Sequence, residues 1–131
     1  MDLRLKELKL YGTTDTGGDL TVNATTPVFG LLYAVEFIDG TLDDGGTTVI
    51  SCQNTNSGVA NTLLTLAPTL SNADAWFYPR VLVHDQAGTA LTGTSGGDRT
   101  MPIMNGVPRM VISAGGATKV GGVILHYFEE G

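Results

Sequence analysis

The sequence lacks features on which several classes of protein depend. Its single cysteine, Cys52, cannot form a disulfide within the chain. No stretch approaches the roughly 20 consecutive apolar residues that a membrane-spanning helix needs, and no signal-peptide pattern opens the sequence. We therefore expect no membrane partner, and a protein that is made in a reducing compartment and kept or assembled there.

Cationic residues are scarce as well. No lysine or arginine lies between Leu10 and Pro79, although seven Asp and Glu residues do, and the formal net charge is −6. Arg4, Lys6 and Lys9 crowd the first nine positions. Proteins that bind DNA or RNA need clustered cations to displace counterions from the phosphates. We therefore predict no direct binding of nucleic acid.

Glycine, in contrast, is abundant. The 131 residues include 18 glycines, nearly twice the ~7% share of an average protein. No collagen-like period accounts for them, which indicates many tight turns. With 42% hydrophobic residues and no linker, the chain is expected to form a single β domain over residues 1–131, in which residues 1–11 are either an N-terminal arm or a strand that engages a neighbour.

Alternation with a period of two dominates the hydrophobic pattern, which is typical of strands. The phase slips near Glu7, which predicts a bulge or two short strands there. Asp39-Gly40 predicts a turn, and Asn105-Gly106 predicts a hairpin. Residues 71–74 could hold one helical turn. We predict strands at 3–10, 20–24, 31–38, 47–53, 62–66, 76–84, 89–92, 101–104, 107–113 and 123–129.

These strands define the expected fold class, because no convincing helix accompanies them. It is all-β, an antiparallel β-sandwich or small β-barrel with about eight to ten short strands. Within residues 31–38, alternation places Leu32, Ala34, Glu36 and Ile38 on one face and Leu31, Tyr33, Val35 and Phe37 on the other. Pro79 interrupts residues 76–84 and predicts a sheet edge or a bulge.

A search for reactive groups finds only weak patterns. Residues 93–97 match G-x-S-x-G around Ser95, but no helix start follows, and His84 and Asp85 point to opposite faces of a strand. Asp39, Asp43 and Asp44 could offer oxygen atoms to Ca²⁺, but their spacing misses the 12-residue calcium loop. His84 and His126 lack the spacing of zinc ligands. We predict no catalytic residue, cofactor or metal site.

Interaction surface is what remains. Trp76, Tyr78 and Arg80 belong to the residue types that dominate binding hot spots, and Trp76 and Tyr78 would share one face of a strand. In residues 3–10, leucines alternate with cations, so this segment could pair with a neighbouring copy by strand addition. The predicted interface residues are Leu3, Leu5, Leu8, Leu10, Trp76, Tyr78 and Arg80.

Three segments resemble head decoration (cement) proteins of tailed bacteriophages: residues 74–80 (DAWFYPR), 84–92 (HDQAGTALT) and 121–130 (GGVILHYFEE). The resemblance covers roughly the C-terminal half. It implies a β-rich, non-enzymatic protein, made in the host cytoplasm, that binds major capsid protein on the outside of the virion. It also implies self-association, as a homotrimer at local three-fold positions. No binding residue carries over from the resemblance.

Two other functions remain open. One is a head–tail connector or tail structural protein, which would occupy one vertex in few copies. The other is a carbohydrate-binding β-sandwich, with Trp76 and Tyr78 as the sugar platform and Asp39 and Asp43 as a cation site.

Overall fold

The computed structural model describes residues 3–66, 73–82, 86–87 and 99–130, and these residues form strands and loops without any helix. The all-β fold class predicted from the alternation is confirmed. The described residues contain ten strands: β1 (Leu3–Thr13), β2 (Leu20–Asn23), β3 (Val28–Ile38), β4 (Thr47–Asn54), β5 (Ala60–Leu66), β6 (Ala75–Phe77), β7 (Val81–Leu82), β8 (Arg99–Thr100), β9 (Ile103–Ser113) and β10 (Val120–Glu130).

All of the pairings among these strands are antiparallel, and two long strands are shared between two layers. The main sheet has the order β1-β10-β3-β9-β4-β5, while β6 pairs with β3, β2 pairs with β9, and β7 pairs only with β8. The start of β3 pairs with the start of β9, and further along β3 pairs with β6 whereas β9 pairs with β2. The sheet therefore divides into a first layer (β1, β10, β3, β6) and a second layer (β2, β9, β4, β5), as in a sandwich.

A proline marks the place where β9 changes partner. Pro108 follows Gly106, the last β9 residue paired with β3, and precedes Arg109, the first paired with β2. Proline has no N–H to contribute to a ladder, so it fits where one neighbour ends and another begins. Its carbonyl oxygen accepts a hydrogen bond from the N–H of Ala24 at 2.8 Å, which ties the end of β2 to this point.

The core lies between the two layers and is filled by alternate side chains. Along β9, every second residue from Met104 to Ile112 is buried, as the pleat of a half-buried strand requires. The buried cluster comprises Leu10, Val28, Leu32, Val35, Phe37, Leu42, Ile50, Cys52, Leu63, Leu66, Met104, Met110, Ile112, Val123, Leu125 and Tyr127.

The predicted break near Glu7 was wrong. β1 pairs with β10 without a register shift, from Leu3 opposite Glu130 to Thr13 opposite Val120. The hydrophobic pattern slips because the leucines lie on both faces. Leu3 and Leu5 are more than half exposed, whereas Leu10 is buried in the core and Leu8 packs against it.

The predicted hairpin at Asn105-Gly106 was also wrong, because β9 runs through this dipeptide. Gly106 lies opposite Asn54 of β4, and a Cβ there would collide with the backbone carbonyl oxygen of Gln53. Close approach of two backbones, not a turn, explains this glycine. The turn predicted at Asp39-Gly40 is confirmed, since Gly40 has a positive φ of 57°.

β3 carries a bulge that alternation alone did not predict. Ala34 lies opposite His126 and Leu32 lies opposite Tyr127, so Tyr33 is an extra residue between them. Because of this extra residue, the core side of β3 changes from even to odd positions, and Leu32, Val35 and Phe37 all enter the core. The proposed grouping of Leu32 with Ala34 and Glu36 was therefore wrong.

Pro79 separates β6 from β7, so the strand predicted at 76–84 is divided. The strand predicted at 89–92 lies outside the described residues, as do two residues of the predicted helical turn, 71 and 72.

Candidate interaction surface

Aromatic and leucine side chains share the outer face of the first layer. The Tyr33 ring lies 5.7 Å from the Phe128 ring and 5.8 Å from the Tyr78 ring, both edge to face. Leu5 lies opposite Phe128 on the neighbouring strand. Trp76, Tyr78 and Leu5 are 49%, 54% and 56% exposed, respectively. We call this surface the aromatic face and define it as Leu3, Leu5, Tyr33, Trp76, Tyr78 and Phe128.

Local backbone features place these side chains. The bulge in β3 directs Tyr33 outward between Phe128 and Tyr78. Pro79 follows Tyr78 and separates it from β7. The Arg80 guanidinium donates hydrogen bonds to the carbonyl oxygens of Tyr33 (2.9 Å) and Pro79 (2.6 Å), and its carbon lies 5.7 Å from the centre of the Tyr33 ring. Arg80 therefore fixes the segment after β6 against the bulge of β3.

A buried histidine supports the centre of the aromatic face. The His126 ring is 7% exposed and lies 4.7 Å, centroid to centroid, from the Trp76 ring. Its Nε2 lies 3.3 Å from the Glu36 carboxylate and its Nδ1 lies 3.6 Å from the Glu7 carboxylate. Each ring nitrogen thus has a carboxylate beside it, and these two contacts orient the imidazole ring.

The structure brings together only some of the predicted interface residues. Leu3, Leu5, Trp76 and Tyr78 share the aromatic face, and Arg80 lies behind Tyr33. The side chains of Leu8 and Leu10 face the core instead, because they occupy the other parity of β1, so we leave them out of the proposed interface.

Sequence reasoning missed Tyr33 and Phe128 as members of this surface, and His126 as the residue that supports Trp76. All three lie within strands that were predicted, but their faces depend on the bulge opposite His126 and Tyr127. The available signal was the adjacent pair Tyr127 and Phe128 in β10. Successive side chains of a strand point to opposite faces, so only one of these two rings can enter the core.

The cations of β1 lie on both faces of the strand: Arg4 and Lys6 share the parity of Leu8 and Leu10, whereas Lys9 shares the parity of Leu5. The Lys6 ammonium contacts the Glu129 carboxylate at 2.7 Å, and this hydrogen bond raises the pKa of Lys6. The Lys9 ammonium lies 4.6 Å above the centre of the Tyr11 ring. β1 is the last strand of the sheet order, and in the described part of the chain only β10 pairs with it. Among the described residues, no strand pairs with the other edge of this cationic strand.

The acidic loop after β3 has different chemistry. The Asp39 N–H donates to the Asp74 carboxylate at 2.9 Å, and Lys119 lies 4.0 Å from Asp43. Burial, followed by repulsion from Asp44 and Asp74, raises the pKa of Asp39. Among the residues that the structure describes, no three His, Cys, Asp or Glu side chains cluster as metal ligands would.

The weak catalytic pattern falls on residues 84, 85 and 95, which lie outside the described ranges. Across those ranges, no helix of a length and apolarity suited to crossing a bilayer is present.

Comparisons with known proteins provide little beyond this geometry. No protein-family model matches the sequence, and no curated protein matches it either. Among solved structures, the chain is similar to the structure of the infectious bursal disease virus Gx strain, with 12% sequence identity and a TM-score of 0.32. That match covers 98% of this chain and 42% of the viral one, so the chain spans less than half of the structure it matches.

Proposed function

We propose that this chain is a non-enzymatic virion structural protein, a decoration or cement protein that binds the outer surface of a phage capsid. Its partner is the major capsid protein, and its copies self-associate. The observation that carries the proposal is the aromatic face, six neighbouring side chains of which five are more than a third exposed. We choose the capsid as the partner because residues 74–80 and 121–130 resemble decoration proteins.

The chemistry of the aromatic face supports adhesion. Soluble monomers rarely leave a contiguous apolar patch exposed unless it binds something. Trp and Tyr are the side chains most enriched where protein interfaces gain most of their free energy. Tyr33 contacts Tyr78 and Phe128, so these three rings form one continuous cluster. Trp76 and Tyr78 are both about half exposed.

Charge is consistent with a protein that stays soluble until it meets a shell. A net charge of −6 favours solubility. The side chains of the aromatic face are uncharged, but carboxylates border it: Glu36 lies opposite Trp76 and Glu130 lies opposite Leu3. Glu7 and Glu36 also lie beside the His126 ring.

Binding to capsid shells assembled without this chain tests the proposal. Labelled protein is added to such shells, the shells are sedimented, and electron microscopy locates the added density. The proposal predicts saturable binding at many symmetry-related positions on the outer surface. Density at a single vertex would instead identify a connector or tail component. Absence of binding, together with retention on a glycan array, would identify a carbohydrate-binding module; either result overturns the proposal.

A further inference from the structure

One edge of β1, which no strand in the described part of the chain covers, can pair with a neighbouring strand. β1 is 11 residues long, and its register with β10 continues without a shift along its whole length. A strand paired on one side leaves every second N–H and C=O pointing outward, ready to pair with another strand. Leu3, Leu5 and Tyr11 also stand exposed along this strand, at 54%, 56% and 36%.

We propose that a second copy of this chain binds this edge, with the two β1 strands antiparallel about a two-fold axis at Leu8. Leu8 is the middle residue of the strand, so this register pairs the full length of both copies. The inference goes beyond the proposed function and does not depend on a capsid, because the free protein forms the pair.

Charge complementarity selects the register. With the axis at Leu8, Glu7 of each copy lies opposite Lys9 of the other, so two ion pairs flank the axis. If the axis lay instead at Lys6, Glu7 or Lys9, the residue on the axis would lie opposite the same charged residue of the second copy. Like charges directly opposite each other are destabilising in a sheet, and opposite charges are stabilising. The Glu7 carboxylate is 68% exposed and thus accessible to the neighbouring strand.

Apolar complementarity agrees with the same register. Leu5 of each copy lies opposite Tyr11 of the other, on the outer face. Within one copy, Leu5 already lies opposite Phe128. The pair therefore continues the aromatic face across the axis, as a row from Phe128 through Leu5 to Tyr11 of the second copy. The two sheets join, and the aromatic faces of both copies lie on the same side.

Single charge reversals test the pairing. In the unaltered chain, sedimentation equilibrium is expected to give a mass of two chains that dissociates reversibly on dilution. Lys9→Glu and Glu7→Lys each place like charges opposite each other twice, and each is expected to weaken the dimer by on the order of tenfold or more. Arg4→Glu is the matched control: it changes the net charge as Lys9→Glu does, but position 4 lies opposite the uncharged Gly12, so the dimer is retained.

Mixing the two single variants gives the sharper result. A Lys9→Glu chain and a Glu7→Lys chain are complementary at both pairs, so their equimolar mixture is expected to restore a dimer that neither forms alone. Circular dichroism verifies that each variant is folded. If Glu7→Lys does not fold, hydrogen exchange decides: alternate β1 amides exchange rapidly in Lys9→Glu, whereas all are protected in the unaltered dimer.

Several outcomes would overturn the pairing. They are a monomer at every concentration, a trimer, a dimer that Lys9→Glu leaves intact, or a mixture that stays monomeric. Binding to shells is measured separately, so shell binding and this pairing can fail independently. A monomer at every concentration would also contradict the self-association in the proposed function, whereas a trimer would contradict only this pairing.

Discussion

The Trp76 ring stacks on the buried imidazole of His126, with 4.7 Å between the ring centres and 31° between the planes. Glu7 and Glu36 hold the imidazole from its two nitrogens, and the three groups come from β1, β3 and β10. An exposed tryptophan is thereby oriented before any partner arrives. Such preorganisation reduces the entropy that binding must remove from the side chain.

Replacement of Trp76 by alanine should therefore reduce binding more than stability. We expect Trp76→Ala to lower the affinity for capsid shells by at least about tenfold, as the loss of an interface hot spot does. Because the side chain is half exposed, the free energy of unfolding should fall by only about 1 kcal/mol. Cosedimentation titrations and thermal melts measure the two effects.

The matched control for this variant is Val59→Ala. Val59 is 67% exposed in the loop between β4 and β5, away from the aromatic face. Equal loss of affinity in both variants would contradict a specific role for Trp76.

Gly106 provides a prediction about stability. A Cβ there would collide with the carbonyl oxygen of Gln53, so β9 and β4 would have to separate. We expect Gly106→Ala to destabilise the protein by about 3 kcal/mol or more, at the upper end of overpacking effects. Urea denaturation measures the change. Gly17→Ala, whose nearest neighbour is a side-chain oxygen of Asp15 at 3.3 Å and not a backbone atom, should have a small effect; comparable losses would show that backbone contact is not the cause.

Asp39 provides a prediction about pH. Its pKa is raised above 3.8 by burial and then by Asp44 and Asp74, so its charged form disfavours the folded state. Below pH 3.8 the group is protonated in the folded and the unfolded chain, and the penalty vanishes; above the raised pKa the penalty is complete. Asp39→Asn should therefore increase the melting temperature at pH 7.

The increase should shrink as the pH falls through the raised pKa towards 3.8. Glu130→Gln, which removes the same charge at the far end of β10, serves as the control. A gain that does not depend on pH, or that both variants share, would refute the penalty for burying the charged form of Asp39.

Cys52 gives a prediction about reactivity. Its side chain is fully buried, and burial raises the pKa of the thiol, an effect that hydrogen bonds from the Asn105 and Gly106 backbone partly offset. Because the thiolate is the reactive form, folded protein should resist iodoacetamide at pH 8, and protein unfolded in urea should react completely. Mass spectrometry of both samples measures the alkylation. Rapid alkylation of the folded chain would contradict the burial.

The sequence predicted the strands well because alternation is a local property. The strands predicted at 31–38, 47–53 and 123–129 all lie within β3, β4 and β10. Asn105-Gly106 misled because the same dipeptide serves a tight turn and a close backbone contact, and only the position of β4 distinguishes the two.

The interaction surface was predicted only in part, for a related reason. Trp76 and Tyr78 were identifiable from their own segment. Tyr33 reaches the surface because β3 has one residue more than β10 between two pairs, and this mismatch involves strands about 90 positions apart. No pattern within either strand reveals it. Likewise, the change of phase at Glu7 was visible in the sequence. Leucines on both faces of a regular strand produce the same pattern as a bulge, so the pattern alone did not distinguish the two.

The shared strands β3 and β9 have a consequence for how this molecule comes apart. The first residues of β3 and β9 pair with each other, and the rest of each strand belongs to one layer. One layer therefore cannot separate from the other without breaking pairs in these shared strands. We therefore expect the two layers to unfold together, in a single cooperative transition with heat or denaturant.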